Sequence, residues 1–172
     1  MSTFYLQGCK TEPTPTEYFD NIYIPVQELI DYDTDIQEDL FKMLITEDEI
    51  DSTEIDLIKD EDIVALNSKI NKFKQNIDQK LKTSENIKVY KSENNLKQLY
   101  SKLLSSYSRE LNNNWPKLWK LLNSKEISEK EIEDFNVILR ETQNNLDKSL
   151  NEFYAAAEDY AERYDIEIEI ID

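Results

Sequence analysis

Histidine is absent from the 172 residues, glycine and cysteine occur once each, as Gly8 and Cys9, and proline occurs four times. Without histidine there is no Ser-His-Asp or Cys-His nucleophile, no His-ligated zinc and no Glu-x-x-His di-iron bundle. A single cysteine excludes an intramolecular disulfide framework and any thiolate cluster. The lack of glycine beyond position 8 argues against Rossmann loops, P-loops and tight-turn all-β folds. Those structures need glycine where φ is positive or where the backbone approaches phosphate. No apolar run reaches the roughly 18 residues of a membrane-spanning helix. No metal or cofactor is expected, and an enzyme is not.

What is present is charge. Charged residues make up 33% of the chain and the formal net charge is −17. That balance disfavours nucleic acid as a partner, because phosphate would be repelled. The charge is segregated. Residues 1–60 hold 3 Lys/Arg against 16 Asp/Glu, net −13; residues 61–125 hold 13 against 6, net +7; residues 126–172 hold 4 against 15, net −11. In a compact fold the acidic ends can lie against the basic middle and offset self-repulsion; solvated faces without specific pairing are the alternative.

Apolar spacing of three and four predicts four helices. The first runs from Thr16, read as its N-cap, to Leu44, with Pro25 expected to kink or break it near Ile22 and Asp31–Asp35 to fray it. The second covers Glu61–Lys82 with the apolar stripe Ile63, Leu66, Ile70, Phe73, Ile77 and Leu81. The third covers Glu93–Leu122 with a kink at Asn112–Pro116. The fourth opens at Ser128, where Ser128-Glu129-Lys130-Glu131 matches a capping box, and continues to Tyr164. Residues 45–60 are a connection that could hold a helical turn at Thr53–Ile58. The expected fold is all-α, an antiparallel four-helix bundle with kinked helices. A three-helix fold with the first segment disordered is the runner-up.

Asp165-Ile166-Glu167-Ile168-Glu169-Ile170 alternates polar and apolar, a strand pattern. Three outcomes are open for it: continuation of the fourth helix with fraying after Tyr164, pairing with Ile87–Lys91, or pairing with the tail of another chain. The last would make a weak dimer of an otherwise monomeric protein.

Three constellations could carry chemistry. Asp31-Tyr32-Asp33-Thr34-Asp35 opens like an EF-hand loop, but the required Gly and Glu are replaced by Ile36 and Lys42, so it reads as an exposed acidic helix segment. Glu131 with Asp134, and Glu158 with Glu162, are carboxylate pairs of a kind that an acidic chain contains by chance. Tyr100, Tyr107, Trp115 and Trp119 share one helix at helical spacing. They read as core first, and otherwise as a surface for a protein or glycan partner.

Leu6-Gln7-Gly8-Cys9 resembles a bacterial lipobox, in which the cysteine is lipidated and becomes the new N-terminus. The resemblance implies lipidation at Cys9 and attachment to a membrane through that anchor. Only Phe4, Tyr5 and Leu6 are apolar before it and no Lys or Arg precedes Cys9, so the reading implies a signal extending upstream of Met1. Residues 1–8 are then the remnant of that signal, 9–16 a Pro-spaced tether and 17–172 the helical domain. Tyr18 with Gln27, the basic middle hairpin, Lys125–Glu129 opening a long helix, and Phe153–Tyr164 resemble a family of bacterial surface lipoproteins with a helical-bundle domain and no assigned activity. The resemblance covers Thr16 to Glu169, departs from the family pattern at Phe19, and implies no catalytic residues. The expected role is a lipid-anchored binding or structural module of the cell envelope, periplasmic or on the cell surface. The alternative is a cytosolic acidic protein that mimics nucleic acid toward a basic partner.

Overall fold

A computed structural model of the chain describes residues 12–45, 60–92, 95–124 and 128–168. Cys9, residues 1–8 expected as a signal remnant, the turn expected at Thr53–Ile58 and the last four residues lie outside the described residues. The described residues are all-helical and contain no strand. They form α1 (Pro15–Ile45), α2 (Asp60–Ser84), α3 (Asn95–Asn113), α4 (Trp115–Leu122) and α5 (Glu129–Tyr164).

α1 begins two residues earlier than its sequence suggests, because Thr14 rather than Thr16 is the cap. The Thr14 hydroxyl accepts from Glu17 N at 3.1 Å, and Glu17 accepts from Thr14 N at 2.8 Å, with Pro15 in the first turn where no donor is needed. Those bonds to the Thr14 backbone and hydroxyl hold the Glu17 carboxyl below its ordinary range. The expected break at Pro25 does not occur, nor does fraying at Asp31–Asp35; α1 runs through both. An interior proline costs about 3 kcal/mol. Burial of Ile22, Val26 and Leu29 around it contributes roughly 1.5–3 kcal/mol each, so packing outweighs the lost bond.

The kink expected in the third helix is a break. Asn114 separates α3 from α4, and Pro116 falls in the first turn of the restarted helix. α5 starts as its sequence predicts. The Ser128 hydroxyl accepts from Glu131 N, and Glu131 accepts from Ser128 N at 2.9 Å, so those bonds to the Ser128 backbone and hydroxyl hold Glu131 below its ordinary pKa.

Among the described residues three other than glycine take positive φ: Lys91, Ser92 and Asp165. Asp165 ends α5 in a Schellman turn, with Ile166 N donating to Ala161 O at 2.9 Å. Among the described residues the alternating C-terminal segment forms no strand and does not continue α5 past Tyr164. Ile166 and Ile168 pack on the core from irregular backbone, and the spent Ile166 N–H cannot enter a ladder. The alternating segment Ile87–Lys91 is irregular too, and meets the end of α5 through the Tyr90–Tyr164 ring contact, 5.4 Å between centroids.

α3 packs on α1, α2, α4 and α5, and α1 also packs on α2 and α5. Contacts between neighbouring helices fall in reverse chain order. From α1 to α2 they are Asp39 with Lys69, Tyr32 with Phe73, and Glu28 with Lys80. From α3 to α5 they are Lys102 with Glu152, Ser106 with Ser149, and Glu110 with Asn145. Among the described residues three ion pairs join a lysine of the basic middle to a carboxylate of an acidic end: Lys69–Asp39, Lys80–Glu28 and Lys102–Glu152. Each is worth about 0–1 kcal/mol at the surface, so they set register more than stability. No described helix is long and apolar enough to cross a membrane.

Candidate functional site

The break at Asn114 shapes the site. Beside that break lies a cavity of about 440 Å³ whose walls come from all five helices. Ile36 and Leu40 of α1, Ile70 and Phe73 of α2, and Leu139 and Leu146 of α5 supply apolar wall. Trp115 and Leu118 supply the α4 side, and Tyr107, Glu110 and Leu111 the α3 side. The size lies within the roughly 300–1,000 Å³ of sites that bury a small organic molecule, and the lining has their usual pattern of apolar wall with a few convergent polar groups.

Two carboxylates face the cavity in opposite conditions. Glu110 is 6% exposed and surrounded by donors. Arg109 donates through Nε at 3.2 Å and Nη2 at 3.1 Å, Asn114 Nδ2 at 2.5 Å, Asn145 Nδ2 at 3.3 Å and the Thr142 hydroxyl at 3.5 Å. Asn114 also donates to Thr142 at 2.9 Å, so the residue that breaks the helix ties α3 to α5. Asp33 has two neutral donors, Gln37 Nε2 at 2.9 Å and the Tyr107 hydroxyl at 3.3 Å. Burial pushes the Asp33 carboxyl up to about 6 against the pull of these two bonds, and Asp147 adds to the rise. The Tyr107 hydroxyl is raised as well, first by burial and then by Asp33.

The aromatic residues singled out in the sequence separate. Tyr107 (1% exposed) and Trp115 line the cavity. Tyr100 is 2% exposed, a core residue with no surface to offer a partner, and burial raises its hydroxyl to about 12. Trp119 is half-buried beside Trp115, with ring centroids 6.1 Å apart. The carboxylate pairs take no part: Glu131 is committed to the α5 cap, and Asp134, Glu158 and Glu162 are exposed on α5. Among the described residues no group of three or more His, Cys, Asp or Glu is placed to hold a metal ion.

Asp33 corrects the reading of Asp31–Asp35 as an exposed acidic segment. Asp31 and Asp35 are exposed, but Asp33 is turned inward. A signal for it exists: Asp33 stands four residues after Leu29 and three before Ile36, on the apolar stripe. Glu110 likewise follows Tyr107 by three, and Thr142 follows Leu139 by three. Polar residues at stripe positions marked the site.

The arrangement can hold an apolar body and orient it by hydrogen bonds and one poorly solvated carboxylate. No family model, curated protein or solved structure matches the chain.

Proposed function

We propose that the chain is a lipid-anchored module of the bacterial cell envelope that works by binding a small amphiphilic molecule between its helices. In this reading α1, α2, the α3–α4 pair and α5 form an antiparallel four-helix bundle around the cavity. The observation that carries the binding role is the cavity itself, apolar in its walls and supplied with inward-facing polar groups from α1, α3 and α5. The reversed order of contacts between neighbouring helices supports the bundle. Leu6-Gln7-Gly8-Cys9, followed by a Pro-spaced stretch that leads straight into the Thr14 cap of α1, supports an anchor at Cys9 and a tether of fixed attachment. The half-buried Trp115–Trp119 pair beside the cavity is the patch that a protein or glycan partner would meet.

Binding is tested with the full chain and N-phenylnaphthylamine, a neutral apolar fluorophore. Saturable binding near one molecule per chain is expected, and it is weakened in Leu139→Trp, whose indole takes up part of the cavity. Absence of saturable binding, or binding indifferent to that substitution, overturns the role. The anchor is tested by expressing the gene with its upstream region in a bacterial host fed labelled fatty acid. Label at Cys9 is expected, and label retained after Cys9→Ser overturns it.

A further inference from the structure

We infer that the cavity takes a cationic amphiphile, with its apolar body among Ile36, Leu40, Leu118 and Leu139 and an ammonium head at the Asp33 carboxylate. The inference rests on the cavity being the binding site and names the class of ligand that fits it.

The argument is one of charge complementarity. Two of the groups facing the cavity are acids, and they differ in what they still lack. Glu110 already accepts from a guanidinium, two amides and a hydroxyl, so its acceptor capacity is used. Asp33 accepts from one amide and one hydroxyl, both neutral, whereas a carboxylate has about four acceptor sites. Its pKa, raised by burial, records how poorly its charge is solvated. A cationic head restores that solvation, since a buried charge is stabilised by a hydrogen-bonded counter-charge.

The surroundings agree. Tyr107, which donates to Asp33, meets Phe73 edge to face at 5.7 Å, and Tyr32 stacks on Phe73 at 5.1 Å. Aromatic rings beside a carboxylate are a favourable setting for an ammonium group. The groups that act on Asp33 are Gln37 on its own helix, Tyr107 on α3 and Asp147 on α5, and the only charge among these three is negative. The basic residue of the lining, Arg140, is exposed to solvent, so an anionic head entering the interior would face Asp33 and Glu110 instead.

The test uses three probes with one apolar body: decylammonium, decanol and decanoate, each titrated calorimetrically into the full chain at neutral pH below its aggregation threshold. Decylammonium is expected to bind at least about tenfold more tightly than decanol, because hydrogen bonds to a charged partner are worth more than neutral ones. Decanoate is expected to bind more weakly than decanol. In Asp33→Asn the preference for decylammonium over decanol is expected to be lost. A second measurement needs no variant: as the pH falls below about 6, the wild-type preference for the ammonium declines with the charge on Asp33. Decanoate binding as tightly as decylammonium overturns the inference, as does an ammonium preference that survives Asp33→Asn. If all three bind equally, the cavity still binds and only the choice of head group fails. If none binds, the binding role fails with it.

Discussion

The Tyr107 hydroxyl donates to the Asp33 carboxylate at 3.3 Å, joining α3 to α1 at the wall of the cavity. Both groups are buried against their electrostatic interest: the carboxyl is pushed up to about 6 and the hydroxyl is raised too. A site that holds a carboxylate in this way sacrifices some stability at neutral pH.

That cost predicts a pH dependence. The folded pKa of Asp33 lies above its ordinary 3.8, so the native state binds this proton more tightly than the unfolded chain. Its contribution to stability therefore falls as pH rises through the window from about 4 to 6 and is lowest above it. A rise of about two units corresponds to up to about 3 kcal/mol. Asp33→Asn is expected to melt higher than wild type at about pH 7, with the gap closing by about pH 4. A gap of constant size across that range, measured by thermal denaturation, contradicts the account.

The end of α5 makes a second prediction. Asp165 sits at φ 54°, ψ 47°, where a side chain costs roughly 1–2 kcal/mol and glycine costs none. Glycine gives part of this back through the entropy of its unfolded chain, about 0.5–1 kcal/mol. Asp165→Gly is expected to raise stability by about 0.5–1 kcal/mol in urea denaturation, and Asp165→Val to lower it. Loss of stability in the glycine variant would mean that the Asp165 side chain contributes something its backbone geometry does not reveal.

A third concerns the buried hydroxyl pair between α3 and α5. The Ser106 and Ser149 oxygens lie 3.0 Å apart, and Ser149 also donates to Asn145 O at 3.2 Å. Removing the Ser149 hydroxyl strands that of Ser106, at about 1–3 kcal/mol, whereas in Ser106→Ala the Ser149 hydroxyl keeps its bond to Asn145 O, and removing both leaves two methyl groups in contact. Ser149→Ala alone is therefore expected to destabilise more than the Ser106→Ala, Ser149→Ala pair does. Additive effects in the double-mutant cycle would show that the two hydroxyls are not coupled.

Most of the helical architecture was legible in the sequence because it follows from local chemistry. The period of Ile63, Leu66, Ile70, Phe73 and Ile77 predicts the buried face of α2, and Ser128 with Glu131 predicts the first turn of α5. Both effects act within one or two turns, so a single strand of text contains them. The cavity was legible only in fragments. Tyr107 and Trp115 stood out as aromatic residues on one helix, but nothing in their spacing separates them from Tyr100, which is fully packed. Asp33 was hidden in an acidic run whose other members face water.

Sequence alone determined that this chain is helical, where the long helix begins, and that charge is divided between its ends and its middle. These depend on periodicity, capping side chains and composition, which act at short range. Tertiary structure decided the rest. Packing of Ile22, Val26 and Leu29 carried α1 through Pro25, at a cost that local propensity would not bear. Packing of Ile166 and Ile168 against the core sets these residues of the alternating segment in irregular backbone rather than a strand. The break at Asn114, held by Glu110 and Thr142, borders the cavity, and only the juxtaposition of α1 and α3 turned Asp33 from one acid among many into a carboxylate with neutral partners. Such effects arise between residues 74 positions apart, where the free energy of burial, and not local preference, selects the conformation.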